Sequence, residues 1–187
     1  FRHELARNAI RSGMPIAARR RLHAEILEAL LAAEADPADI VHHAEAAGAE
    51  DVVAEYALLA ARRAAALDSN REAYSHYRRA SVFLDRLPAP SRAAVLEELA
   101  SAAYALYRLD DAFRAIGRAI AEWSALGDAA AVGRCTQIQS RFHWHSGDGD
   151  AARAKALEAI EILEPLGDSV ELAARVKDRY DEGWIAE

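Results

Sequence analysis

The sequence predicts an all-α chain, a right-handed α-solenoid of antiparallel helix pairs with about ten helices. Three observations carry that expectation. The composition is rich in Ala, Arg and Glu with only five Pro, which favours helices, and no β-branched run alternates with period two, so no strand is expected. Small residues recur in register: Ala73, Ala112 and Ala152 are 39 and 40 residues apart, and so are Ala80, Ala119 and Ala159. Each first Ala also follows a turn-forming triplet, Asp68-Ser69-Asn70, Leu109-Asp110-Asp111 and Ser146-Gly147-Asp148. A small residue just after a tight turn lets the second helix of a pair approach the first closely, and pairs then stack on pairs.

Taken in order, residues 2–12 form a short helix stopped by Gly13 and Pro15. Residues 16–34 follow, with Leu22, Ile26, Ala29 and Leu30 on one face. Asp36-Pro37 caps and restarts the chain; the next helix, 37–47, presents Ile40, Ala44 and Ala47 and ends at Gly48. Residues 51–67 carry Val53, Tyr56, Leu59 and Ala60, and residues 70–87 place Ala73, Tyr77, Ala80, Leu84 and Leu87 on a buried stripe. Pro88-Ala89-Pro90-Ser91 breaks the chain and caps 91–107, with Leu96, Leu99, Ala103 and Leu106 inward. Residues 110–126 show Phe113, Ile116, Ala119, Ile120 and Trp123. Gly127-Asp128 turns into 129–146, Gly147 into 148–166, and Gly167-Asp168 into a last helix, 169–185.

The net charge of −7 argues against a general nucleic-acid surface, which needs a basic face. Charge is uneven along the chain, because residues 1–30 hold six Arg against three Glu whereas 31–60 hold seven acids and no Lys or Arg. Solvated helix faces account for most such runs. A lone cysteine, Cys135, excludes an intrachain disulfide and suits a reducing cytosol. No apolar run is long enough to span a membrane. The opening Phe1-Arg2-His3-Glu4 has neither an initiator Met nor a signal-peptide pattern, so an internal piece of a longer, cytoplasmic polypeptide is expected.

Ser140, Gly147, Asp148, Ala152 and Ala159 resemble the tetratricopeptide (TPR) pattern of small–(x6)–Gly-Asp–(x3)–Ala–(x6)–Ala. Ala100, Ala112 and Ala119 match less fully, as do Ala61, Ala73 and Ala80. The period here is longer than the 34 residues of that family. Its aromatic before the second Ala is kept as Tyr77 but replaced by Ile116 and Ala156. In the N-terminal third, Phe1–Arg7, Arg19-Arg20-Arg21-Leu22-His23 and His42-His43-Ala44-Glu45-Ala46-Ala47-Gly48 resemble a region of LuxR-type, STAND-class ATPase regulators. There the stretch joins the ATPase and winged-helix module to a TPR-like sensor array. That resemblance divides the chain into N-terminal helices (1–48), TPR-like repeats (49–167) and a terminal helix (168–187). It implies that ATP, Mg²⁺ and DNA binding belong to other modules, since no Walker A sequence or recognition helix occurs here.

Few residues carry a chemical signature. His143 and His145 are two apart on one helix, so their side chains diverge by about 200° and do not make a zinc pair. Asp148-Gly149-Asp150 lacks the later ligands of a calcium loop. His42-His43 is expected to have one ring buried with a hydrogen bond and the other exposed, with a pH switch as its functional reading. Glu97-Glu98 and Asp110-Asp111 splay apart as sequence neighbours and make no acid/base pair. No metal site, cofactor or catalysis is expected of this segment. The candidate site is instead a groove. The TPR resemblance places Arg134, Gln137, Arg141, Trp144 and His145 along it from the best-matching repeat, Glu97, Ser101 and Tyr104 from the middle one, and Glu55, Leu58 and Arg62 from the first. Arg and Trp are effective contact residues there.

These features imply a sensor or protein-interaction segment that binds a protein, a peptide or a small effector and relays to absent modules. A stand-alone adaptor scaffold and the sensor array of a nucleotide-cyclase-linked ATPase share the same architecture. Neither nucleic acid nor membrane is an expected direct partner. The terminal helix, through Tyr180 and Trp184, is expected to cap the array or to self-associate.

Overall fold

The computed structural model describes residues 14–166. Among the described residues there are eight α-helices and no strand. They are α1 (Ile16–Ala32), α2 (Pro37–Ala47), α3 (Glu50–Ala66), α4 (Asn70–Ala80), α5 (Ala89–Ala105), α6 (Leu109–Ala125), α7 (Ala129–Ser146) and α8 (Gly149–Leu163), with 3₁₀ turns at Ser81–Arg86 and Glu164–Leu166. The helices expected at 2–12 and 169–185 lie outside the described residues, and so do Tyr180 and Trp184.

The turns explain why the chain folds into pairs. Asp36, Asp128 and Asp148 each accept a hydrogen bond from a first-turn backbone N–H, that of Ala38 (2.9 Å), Ala131 (2.9 Å) and Ala151 (3.0 Å), satisfying donors that a helix start leaves bare. At the other side of each turn the chain passes through the left-handed region. Asp68 (φ 55°), Tyr107 (φ 57°) and Gly147 (φ 85°) do so at the α3–α4, α5–α6 and α7–α8 turns. Their spacing is again 39 and 40 residues, and each precedes the small residue Ala73, Ala112 or Ala152 by five. The same kind of kink thus closes these three pairs whatever side chain occupies it, and Gly48 (φ 77°) and Gly127 (φ 71°) carry it at the α2–α3 and α6–α7 turns as well.

Each helix packs chiefly on its neighbours in the chain, and most extensively within the pairs α3/α4, α5/α6 and α7/α8. The recurring small residues sit in those interfaces. Ala73, Ala112 and Ala152 are buried, as are Ala80, Ala119 and Ala159, and Ala61, Ala100 and Ser140 opposite them. Between α7 and α8 the approach is close enough for the Ser140 hydroxyl to donate to the Ala152 carbonyl at 2.7 Å.

Two apolar clusters form the interior. One gathers Leu27, Ile40, Val41 and Ala44 of α1 and α2 against α3. The larger runs from α3 to α7 through Tyr77, Leu84, Leu96, Ile116 and Phe142, and Leu58 packs against both.

Three local expectations are corrected. The helix expected over 70–87 stops at Ala80 and continues as the 3₁₀ turn, in which Phe83 leaves helical geometry (φ −111°, ψ 20°). The helix after the proline pair starts at Ala89 with Pro88 as its flanking residue and Pro90 in its first turn, so Ser91 is inside it and does not cap. Leu22, Ala29 and Leu59 face solvent; Leu27 is the buried residue of α1, and on α3 the expected Val53 and Ala60 are buried together with Ala57, Ala61 and Ala64. Where two helices nearly touch, alanine makes the contact and a leucine is displaced to the rim.

Candidate functional site

Helices α3, α5 and α7, the first members of successive pairs, are tied to one another by opposite charges 36 and 37 positions apart in sequence. Arg62 of α3 grips Glu98 of α5 through Nε (3.1 and 3.3 Å) and Nη2 (3.1 Å). Arg134 of α7 grips the adjacent Glu97 through Nε (2.8 Å) and Nη2 (3.1 Å). Planar guanidinium–carboxylate forks of this kind fix direction as well as distance. The indole N–H of Trp123, on α6, donates to the same Glu97 carboxylate at 3.3 Å.

These groups border a hollow of about 460 Å³ whose lining includes Tyr77, Ala73, Glu97, Glu98, Ser101, Trp123 and Arg134. Burial tends to raise the Glu97 pKa, but Arg134, with help from Cys135 and Trp123, outweighs it and holds the carboxyl below its ordinary value. Burial, reinforced by Glu98, pushes the Tyr77 hydroxyl up to about 12. Glu97 is therefore a fixed anion and Tyr77 a neutral phenol at physiological pH. Burial, and next the Glu97 carboxylate, push the Cys135 thiol up to about 12, which removes it as a nucleophile. The hollow offers aromatic surface and pinned polar groups whose charges already cancel. Neither Glu97 nor Tyr77 changes protonation near neutral pH.

Of the expected groove residues, Glu97, Ser101 and Arg134 border this hollow, and Arg62 reaches it through Glu98. Tyr104 and His145 meet elsewhere along α5 and α7, the phenol oxygen lying 3.0 and 3.3 Å from the two ring nitrogens. Tyr104 also stacks on Phe142 at 4.8 Å, and the Tyr107 hydroxyl donates to the His145 carbonyl at 2.7 Å. Trp144 is 38% exposed. Arg141 is half-buried with an unpartnered Nε, and Gln137 is half-buried. Glu55 is exposed on α3, whereas Leu58 belongs to the interior. His143 packs its ring on Phe113 at 4.6 Å.

Trp123, Glu98 and Tyr77 were not among the groove candidates. The signal that finds the two acids is simple: an Arg about one period from an acid, Arg62 with Glu98 and Arg134 with Glu97, places the two on neighbouring first helices.

The second helices carry a different surface. Arg71, Arg78, Arg79 and Arg108 surround Tyr74 in a hollow of about 720 Å³. Beside it, Asp111 accepts from Tyr74 (2.5 Å), Arg108 (2.8 Å) and Arg114. The Tyr74 hydrogen bond, then Arg108, lowers the Asp111 pKa to about 2. At the N-terminal end, His23 of α1 meets His42 and His43 of α2. His43 is half-buried and bonded to His23, while His42 is exposed.

No protein-family model and no curated protein matches the chain.

Proposed function

We propose that this chain is a TPR-like segment of an α-solenoid that docks a protein or peptide across its first helices. The reading rests chiefly on the hollow spanning α3 to α7, in which Glu97 and Glu98 are each held by an arginine of a neighbouring first helix and Trp123 stands at the border. Side chains locked by such forks lose little freedom when a partner arrives, so they form a pre-organised surface. Aromatic and arginine groups supply most of the energy in interfaces of this kind.

In its fuller form the proposal makes the segment the sensor region of a LuxR-type ATPase regulator, relaying occupancy to nucleotide- and DNA-binding modules elsewhere in the polypeptide. That part rests on the resemblance of residues 1–48, and the gene sequence upstream of Phe1 tests it. A nucleotide-binding module encoded there supports it; a parent polypeptide without one rejects it.

The docking surface is tested by selecting displayed peptides on the wild-type chain and re-measuring them on two variants. Ser101→Trp fills the hollow from an exposed position, and Arg118→Glu changes an exposed charge on α6. Peptides docked in the hollow lose about tenfold or more in affinity, at least 1.4 kcal/mol, with Ser101→Trp and little with Arg118→Glu. Selected peptides that bind Ser101→Trp as tightly as wild type defeat the proposal.

A further inference from the structure

Three imidazoles meet where α1 lies against α2. His23, from the middle of α1, and His42 and His43, from the second half of α2, each offer a ring nitrogen, and these nitrogens all lie within 4.8 Å of one another. The Nδ1 atoms of His23 and His43 are 3.1 Å apart. The ring centroids of His23 are 4.9 Å from His43 and 5.9 Å from His42, and those of His42 and His43 are 5.1 Å apart.

We propose that His23, His42 and His43 form a binding site for a divalent transition metal of the zinc class, fastening α1 to α2. A tetrahedral ion with metal–nitrogen bonds of about 2.0–2.1 Å holds its ligand nitrogens about 3.3–3.4 Å apart. The His23–His43 edge is close to that separation already. Turning the exposed His42 ring closes the remaining gap, while the backbone that carries all three is held from behind. Leu27, four residues after His23, and Ile40, Val41 and Ala44, flanking the histidine pair, are buried together in one cluster. The helices therefore need not move for the ion to enter.

The donor set chooses the metal. Three neutral imidazoles suit zinc, copper or nickel, whereas calcium and magnesium require oxygen ligands that this cluster does not supply. Three protein ligands at a partly exposed surface leave a fourth position open to solvent, or to a ligand from another molecule. His143 and His145, on α7, take no part in the cluster.

The test is a titration of the full chain, stripped with chelator, with zinc(II) by calorimetry and with cobalt(II) by visible absorption. The site binds one equivalent, cobalt(II) shows the intense bands of tetrahedral coordination, and zinc raises the melting temperature. His42→Gln is the decisive variant, because that side chain is exposed and its loss leaves the packing intact. It and His23→Gln each weaken zinc binding by about tenfold or more, while His143→Gln leaves it unchanged. If His42→Gln binds as tightly as wild type, or the triple variant His23→Gln/His42→Gln/His43→Gln retains the one-equivalent site, the proposal is overturned.

Discussion

Gly133 is buried inside α7, facing the last turn of α8. A methyl group built there lies 2.5 Å from Cγ and 2.6 Å from Cδ2 of Leu163, and 3.2 Å from the Ile162 side chain. Leu163 is fully buried, and its Cγ is close to the backbone, so it has little room to swing aside. Replacing Gly133 with Ala thus sets two effects against each other. Helix propensity favours Ala over Gly by about 1 kcal/mol, whereas overpacking costs about 1–3 kcal/mol. The net expectation is a destabilisation of about 1 kcal/mol. Gly117, inside α6, provides the reference, because a methyl there meets nothing within 4 Å. Gly117→Ala should stabilise by about 0.5–1 kcal/mol. Urea unfolding of both variants separates the terms, since their difference of about 1–3 kcal/mol isolates the contact with Leu163. Adding Leu163→Val to Gly133→Ala should recover part of the loss. A Gly133→Ala chain as stable as Gly117→Ala refutes the close approach of α7 and α8.

Two further predictions concern acid sensitivity and the turns. Asp111 titrates near 2 when folded and near 3.8 when unfolded, so its contribution is complete above pH 4 and disappears as the pH falls through about 2. With its arginines largely in water the contribution is about 1 kcal/mol, and the stability gap between wild type and Asp111→Asn should close between pH 4 and pH 2; a gap independent of pH excludes this assignment. Asp68, held at φ 55°, should gain about 0.5 kcal/mol on replacement by Gly, while Gly147→Ala at φ 85° should lose about 1 kcal/mol; thermal melts showing the same sign for both contradict the left-handed closure.

Among the described residues, the eight helices, most of their ends and the buried alanine register were readable from the sequence because each depends on local chemistry. Asp caps, prolines and small residues after turns act within a few positions. The faces were harder. On α3 every third or fourth residue is Ala, so apolar pattern alone does not distinguish the stripe led by Ala57 and Ala61 from one led by Leu59. Close packing decides, and it favours the smaller side chain. The α4 break at Ser81 was concealed by a stripe that continues to Leu84, which remains buried although the helix has become a 3₁₀ turn.

Residues brought together over distance followed rules that only the pairing geometry supplies. His23 precedes the left-handed Glu34 by eleven positions and His43 follows it by nine, so a hairpin folding about that turn brings them opposite each other. Arg134 and Glu97 are 37 positions apart, close to the 39- and 40-residue spacing of the buried alanines, and lie on the first helices of neighbouring pairs. Trp123 was readable as an inward residue, but its role at the border of the hollow depends on α6 carrying its indole to Glu97.

The left-handed kink shared by Asp68, Tyr107 and Gly147 makes these three corners indifferent to the chemistry of the residue that turns them. An aspartate, a tyrosine and a glycine hold the same sign of φ, and a small residue follows each by five positions. The hand of the reversal thus resides in the main chain, and side chains at these corners can drift while the hairpins they close keep their shape.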